Sequence, residues 1–328
     1  MNALSCAMSV DNCANRELQI TTIYLDHNII DEIGKGKATY LSVFSNKEFL
    51  PVISIVSIDE IFRGGDWNRS MQNIESLRNM GVKYIHSGPD ESHMSISELD
   101  YENMYQKWLR MQSEICSLNN SYFLFLSSLF RGVEPKTVKD MDMSVSDRLA
   151  WIKNNYCKHP GLQAEMDDIL NNPTEYKQRC NELIGLKKLI PFIPKEINNM
   201  PEQSVFWGCV EKLKNAADEN LQRIGNHIQE AIENATTIND QLLIVFNWLN
   251  LFGYYPENMT KIKRIRANFS DAQHATYGIA CDAILTSDKR FAKRILAAVG
   301  ALKLKTEVSN DANELLLRIT KKTNSQFA

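Results

Sequence analysis

The sequence predicts an α/β protein on a mainly parallel sheet, with a large, mainly helical segment set into it. Three observations carry this. Residues 20–85 alternate β-branched runs with helically periodic segments, giving the order strand, helix, strand, helix, strand of a parallel start. From about 95 to 250 helical periodicity continues and strand signal almost vanishes. A short apolar run at 283–285 then returns between two helical stretches.

The first strand is 20–25 (ITTIYL), rich in β-branched and aromatic residues, and it ends in Asp26-His27-Asn28. Apolar residues recur at helical spacing from Ile29 to Phe44, broken by Gly34 and Gly36. The second strand is 52–56 (VISIV). Ser57 then opens a helix that runs into Arg63-Gly64-Gly65-Asp66. A helix at 69–80 and a strand at 82–85 complete the first half. The middle carries candidate helices at 99–118, 121–130, 144–156, 162–171, 174–189, 203–234 and 239–252, without a fixed repeat. Ser270 reads as the N-cap of a late helix with Asp271 in its first turn, and 283–285 as a short buried strand leaving through Thr286-Ser287-Asp288. A helix to about 299, an edge strand at 303–308 and a helix at 310–322 follow. The division is thus a polar lead at 1–18, an α/β part at 19–92, a helical insertion at 93–254, and a second α/β part at 255–328.

A net charge of −3 exerts no global pull on nucleic acid or anionic membrane, so any such contact has to use local basic patches. Seven scattered cysteines form no CxxC pair and suit a reducing, cytoplasmic setting. The N-terminus has no signal-peptide pattern. No apolar run is long and unbroken enough to span a bilayer, so a soluble protein without a membrane partner is expected.

Four acids occupy equivalent places. Asp26 ends the first strand, Glu60 lies one turn into the helix after the second, Asp271 opens a late helix and Asp288 follows a late strand. In a parallel sheet all four lie on the carboxyl-end face, where ligands bind. Clustered carboxylates stay ionised together only around a cation, and oxygen donors suit Mg²⁺ or Mn²⁺. Each acid also has a plain structural reading. Ser57-x-x-Glu60 and Ser270-x-x-Gln273 both match capping boxes, and Asp26 and Asp288 suit a turn and a helix start. His27 and His274 flank the acids and read as hydrogen-bonded neighbours rather than ligands. Arg63, Lys261, Lys263, Arg264, Arg266, Lys289 and Arg290 are candidate phosphate contacts, while the tryptophans read as core.

YLDHN at 24–28, SIDE at 57–60, SDAQHATYGIACDAILTSDKRF at 270–291 and LKLKTEV at 302–308 together resemble the PIN-domain nucleases. The resemblance covers roughly 20–90 and 255–310 and implies a three-layer α/β/α fold. It implies that Asp26, Glu60, Asp271 and Asp288 bind one or two metal ions, with Asn28, Asp282 and Thr286 supporting them. The implied activity is metal-dependent hydrolysis of phosphodiesters, in RNA more than DNA, leaving 5′-phosphate and 3′-hydroxyl ends. PIN-like nucleases include translation-blocking toxins and defence effectors, so such a role is an expectation, with the helical insertion sensing a regulatory protein. The alternatives are a DNA or structure-specific nuclease, and a catalytically silent scaffold that binds a partner protein.

Overall fold

A computed structural model of the chain describes residues 20–87, 94–110, 197, 199–256 and 262–325. The polar lead and the candidate helices at 121–130, 144–156, 162–171 and 174–189 lie outside the described residues.

Six strands form one sheet: β1 (Thr21–Leu25), β2 (Phe49–Ser54), β3 (Lys83–Ser87), β4 (Met94–Glu98), β5 (Ala283–Leu285) and β6 (Glu307–Ser309). Their spatial order is β4-β3-β2-β1-β5-β6, parallel throughout except for β4, which runs antiparallel beside β3. The helices are α1 (His27–Gly34), α2 (Ala38–Phe44), α3 (Ile55–Arg63), α4 (Trp67–Asn79), α5 (Glu202–Lys214), α6 (Glu219–Asn234), α7 (Ile238–Phe252), α8 (Ile262–Gly278), α9 (Lys289–Ala301) and α10 (Ala312–Ser325). Residues 104–110 are helical as well.

The side-chain alternation of a strand sorts the core into two layers. Tyr24, Val52, Ile85, Ile284 and Val308 face a core completed by α5 to α9. Ile23, Leu25, Ile53, Ala283 and Leu285 face the other, completed by α1 to α4 and the start of α10. Ile23, Tyr24 and Leu25 are fully buried because β1 is central and covered on both faces. The end of the expected insertion is therefore part of the main core. Gly300 of α9 is what lets α5 approach, since a Cβ there would lie 2.5 Å from the Gln203 Cα.

Several boundaries differ from expectation, each for a physical reason. β2 ends at Ser54, whose Oγ accepts from the Val56 N–H at 3.2 Å, so α3 starts two residues before Ser57. The expected helix at 203–234 is two. α6 folds back so closely that a Cβ on Gly225 would lie 2.8 Å from the Lys214 nitrogen, and periodicity persisted across the turn because both helices bury apolar faces in one core. β4 falls in a stretch without strand signal, because at the sheet edge it is largely exposed and its alternation is only two apolar residues long, Met94 and Ile96. The last strand is confined to Glu307–Ser309. No helix among the described residues is long and apolar enough to cross a membrane. Of the seven cysteines, Cys209 and Cys281 are described, and both are buried free thiols.

Candidate functional site

The chain leaves β1 toward β2 and β3 on one side, and returns with β5 and β6 on the other. Adjacent connections therefore diverge between β1 and β5, and a crevice opens at the carboxyl ends of such a strand pair. The register pairs Leu25 with Leu285, so Asp26 and Thr286 are the next residues out on neighbouring strands. The Thr286 hydroxyl donates to Asp26 Oδ2 at 2.7 Å, and Asn28 Nδ2 donates to the same oxygen at 3.1 Å. Asp26 Oδ1 accepts the His27 N–H at 2.8 Å, which makes Asp26 the N-cap of α1. The carboxylate is thus held at both oxygens while only 5% exposed.

Glu60 reaches the same place from α3. Ile58, Ile61 and Phe62 seat that helix on the sheet, and Glu60 projects toward α8. Its Oε1 accepts from the Ser270 hydroxyl at 2.5 Å, and its Oε2 lies 3.0 Å from His274 Nε2. Ser270 and His274 are four residues apart, one helical turn, and so share a face of α8. Burial raises the Glu60 pKa, but the charge and hydrogen bond of His274, with the bond from Ser270, more than offset it and hold the carboxyl at about 2.

Neither capping box exists. Ser57 is already inside α3, and Ser270 and Asp271 lie well inside α8, which starts at Ile262. The serine-x-x-glutamine pattern signals a helix start only where backbone N–H groups lack partners. In mid-helix the Ser270 hydroxyl is available to Glu60 instead. Asp288 does what its plain reading predicts: Oδ1 accepts the N–H groups of Arg290 and Phe291 at 2.8 and 3.1 Å and caps α9.

Asp271 forms an ion pair with Arg294 of α9, whose side chain is fully buried and lies over the Phe246 ring. Burial pushes the Asp271 carboxyl up to about 7. Arg294 opposes this, and the charges of Asp26 and Asp288 add to it. The side chain keeps 23% exposure, so desolvation, the largest cause of the upward shift, is only partial, and the charges of Asp26 and Asp288 act in the same direction. A pH effect follows. The folded protein holds this proton where the unfolded chain has released it, so stability falls as pH rises from 3.8 to about 7. In chelator, urea denaturation of the wild type is expected to weaken from about pH 4.5 to about pH 6.5, and Asp271→Asn to flatten that slope. Equal slopes in both proteins would remove the assignment.

Asp26, Glu60 and His274 each offer a ligand atom within 4.8 Å of the others, a cluster that can hold a metal ion. His274 Nε2 lies 3.0 Å from Glu60 Oε2 and 3.9 Å from Asp26 Oδ1. Neighbouring donors around a small dication with bonds of about 2.1 Å stand roughly 3 Å apart, so the three fit with little movement. Asp271 and Asp288 stand close enough to act electrostatically on each other, but they are not in the three-residue cluster.

The structure leaves other expected residues elsewhere. Asp282 Oδ2 accepts from the Thr22 N–H and hydroxyl, both at 2.8 Å, tying the starts of β1 and β5 together at the end of the sheet opposite Asp26. It is therefore not a support of the acids. Arg63 forms an ion pair with Asp59. Lys261 lies outside the described residues, as do the side chains of Lys263, Arg264 and Arg266. Lys289 and Arg290 are exposed in the first turn of α9, beside Asp288. A cleft of about 270 Å³ lined by Tyr84, His86, Asp100 and Lys107 lies by β3 and β4 and contains none of the acids. The residue sequence reasoning undervalued is His274; its spacing of four from Ser270 and three from Asp271 was the available signal. No family model, curated protein or solved structure matches the chain.

Proposed function

We propose that the protein is a metal-dependent nuclease of the PIN-like kind, hydrolysing phosphodiester bonds of RNA. The observation that carries this is the convergence of buried Asp26 and half-buried Glu60 at the point where the strand order reverses, with Asp271 and Asp288 beside them. The arrangement of helices on both faces of a sheet with β1 at its centre agrees with the architecture the motifs resemble.

A divalent cation bound there supplies positive charge to a pentavalent phosphoryl transition state and lowers the pKa of water. The chain's own groups do the rest. Thr286 and Asn28 hold Asp26 Oδ2 and Ser270 holds Glu60 Oε1, which turns Oδ1 and Oε2, each with one contact to the chain, toward each other and toward His274. Lys289 and Arg290 in the first turn of α9 oppose the helix dipole, a cost that contact with the substrate phosphates offsets. Water oxygen bonds to phosphorus as the P–O3′ bond breaks, giving the 5′-phosphate, and the 3′-oxygen leaves as a hydroxyl after taking a proton, so that one water is consumed for each bond cut.

A second reading has its own observation. Glu60 already contacts His274 and Asp271 already pairs with Arg294, so two acids are satisfied internally, as in a silent scaffold that binds a partner protein. Purified protein with Mn²⁺ or Mg²⁺ and end-labelled RNA, single-stranded DNA and duplex DNA decides between them. Cleavage of RNA that a chelator abolishes is expected. Cleavage of DNA alone replaces the substrate, and no cleavage of any substrate favours the scaffold.

A further inference from the structure

We infer that His274 is a nitrogen ligand oriented by Tyr24, and that the site therefore takes a first-row transition-metal dication in preference to Mg²⁺. This rests on the reading that Asp26 and Glu60 hold a metal, and departs from the all-carboxylate set that the motifs imply.

The argument starts from which donor atoms are left. Glu60 Oε1 is held by Ser270, and Asp26 Oδ2 by Thr286 and Asn28. Oδ1 accepts the His27 N–H alone and Oε2 faces His274 alone, so these two oxygens, the ones nearest His274 Nε2, each keep a lone pair for a cation. A cation satisfying both carboxylates thus meets the imidazole nitrogen. His274 is only 1% exposed, which hinders it from turning away into solvent.

The other ring nitrogen is arranged for this role. Nδ1 lies 2.7 Å from the Tyr24 hydroxyl, which lies 2.7 Å from Ser54 Oγ. A ligating imidazole carries its proton on the remote nitrogen and needs an acceptor for it. Tyr24 can accept from Nδ1–H while donating its own proton to Ser54 Oγ, so that a cation displacing the Nε2 proton now shared with Glu60 would meet the Nε2 lone pair. Tyr24 is fully buried in β1, and burial keeps its hydroxyl protonated.

Metal preference follows from the donor set. Imidazole nitrogen suits transition metals, whereas Mg²⁺ prefers oxygen and usually keeps several of its waters. Asp26 at 5% exposure and His274 at 1% leave room for waters only on the side of Glu60, which is 21% exposed, so fewer fit than Mg²⁺ usually keeps.

The test uses Mn²⁺ alone with the full chain. Pulsed electron paramagnetic resonance of the Mn²⁺-loaded wild type is expected to show ¹⁴N modulation from a directly bound imidazole. In competition, Mg²⁺ should displace Mn²⁺ only at roughly 100-fold excess or more. Tyr24→Phe should retain the nitrogen signal and bind Mn²⁺ about 10- to 100-fold more weakly. His274→Gln should lose the signal and most of the preference. Wild-type Mn²⁺ without ¹⁴N modulation, displacement by equimolar Mg²⁺, or no bound Mn²⁺ would each overturn the inference. The wild-type spectrum keeps the test decisive even if His274→Gln fails to fold. Nitrogen-bound Mn²⁺ without cleavage of RNA or DNA would remove the nuclease reading and leave this one standing. Cleavage with an oxygen-only Mn²⁺ site would do the reverse.

Discussion

Asp26→Asn is expected to lower metal-dependent cleavage by about three orders of magnitude, corresponding to roughly 4 kcal/mol of transition-state stabilisation. The residue ends the central strand and presents Oδ1 toward His274, so the substitution removes a ligand charge where the cation would sit. The fold should survive. The amide oxygen can still accept the His27 N–H that starts α1, and Thr286 can turn its hydroxyl to accept from the new amide. One fewer charge in the crowded cluster offsets part of the lost bonding. Cleavage rates at saturating Mn²⁺, with circular dichroism and a urea titration on the same preparation, check both halves. Activity within tenfold of the wild type would move the reaction away from this crevice.

Arg294→Met is expected to destabilise the protein by about 3–5 kcal/mol, because removing one member of a buried ion pair strands the other. Arg294 has no exposed surface, lies 4.7 Å from the Phe246 ring centroid and joins α9 to Asp271 on α8. Methionine matches much of the arginine stem, so packing is kept and the lost charge is tested. Adding Asp271→Asn should restore part of the loss at alkaline pH, since without Arg294 the carboxyl rises further from about 7 and is stranded as an anion only there. Urea denaturation of the four proteins gives the coupling. A cost below about 1 kcal/mol, the range of an exposed pair, would contradict a buried role for Arg294.

Arg294 also shows where sequence reasoning reaches its limit. In a row with Lys289, Arg290 and Lys293 it reads as part of a basic face. Once α9 is laid on the core, its buried face carries Phe291, Ile295 and Ala298 together with Arg294, while Lys293 pairs with Glu202. Charge runs do not state which member faces inward. Helix phase and the neighbouring helix decide that.

The parallel order, the buried strand at 283–285 and the positions of Asp26 and Asp288 at strand ends were legible in the sequence, because they depend on short-range period and on turn chemistry. The helical hairpin at 215–218 and edge strand β4 were not. One hides inside an unbroken apolar period, and the other is an exposed edge strand with only Met94 and Ile96 to mark an alternation. The site divides in the same way. Sequence alone determined that Asp26 ends a strand and that Asp288 opens a helix of an α/β chain. Only the tertiary structure decided that Ser270 and His274 turn to Glu60, that Asp271 turns to Arg294, and that Asp282 lies at the far end of the sheet. Those outcomes depend on partners up to 260 residues away in the chain, brought together by strand register and helix packing.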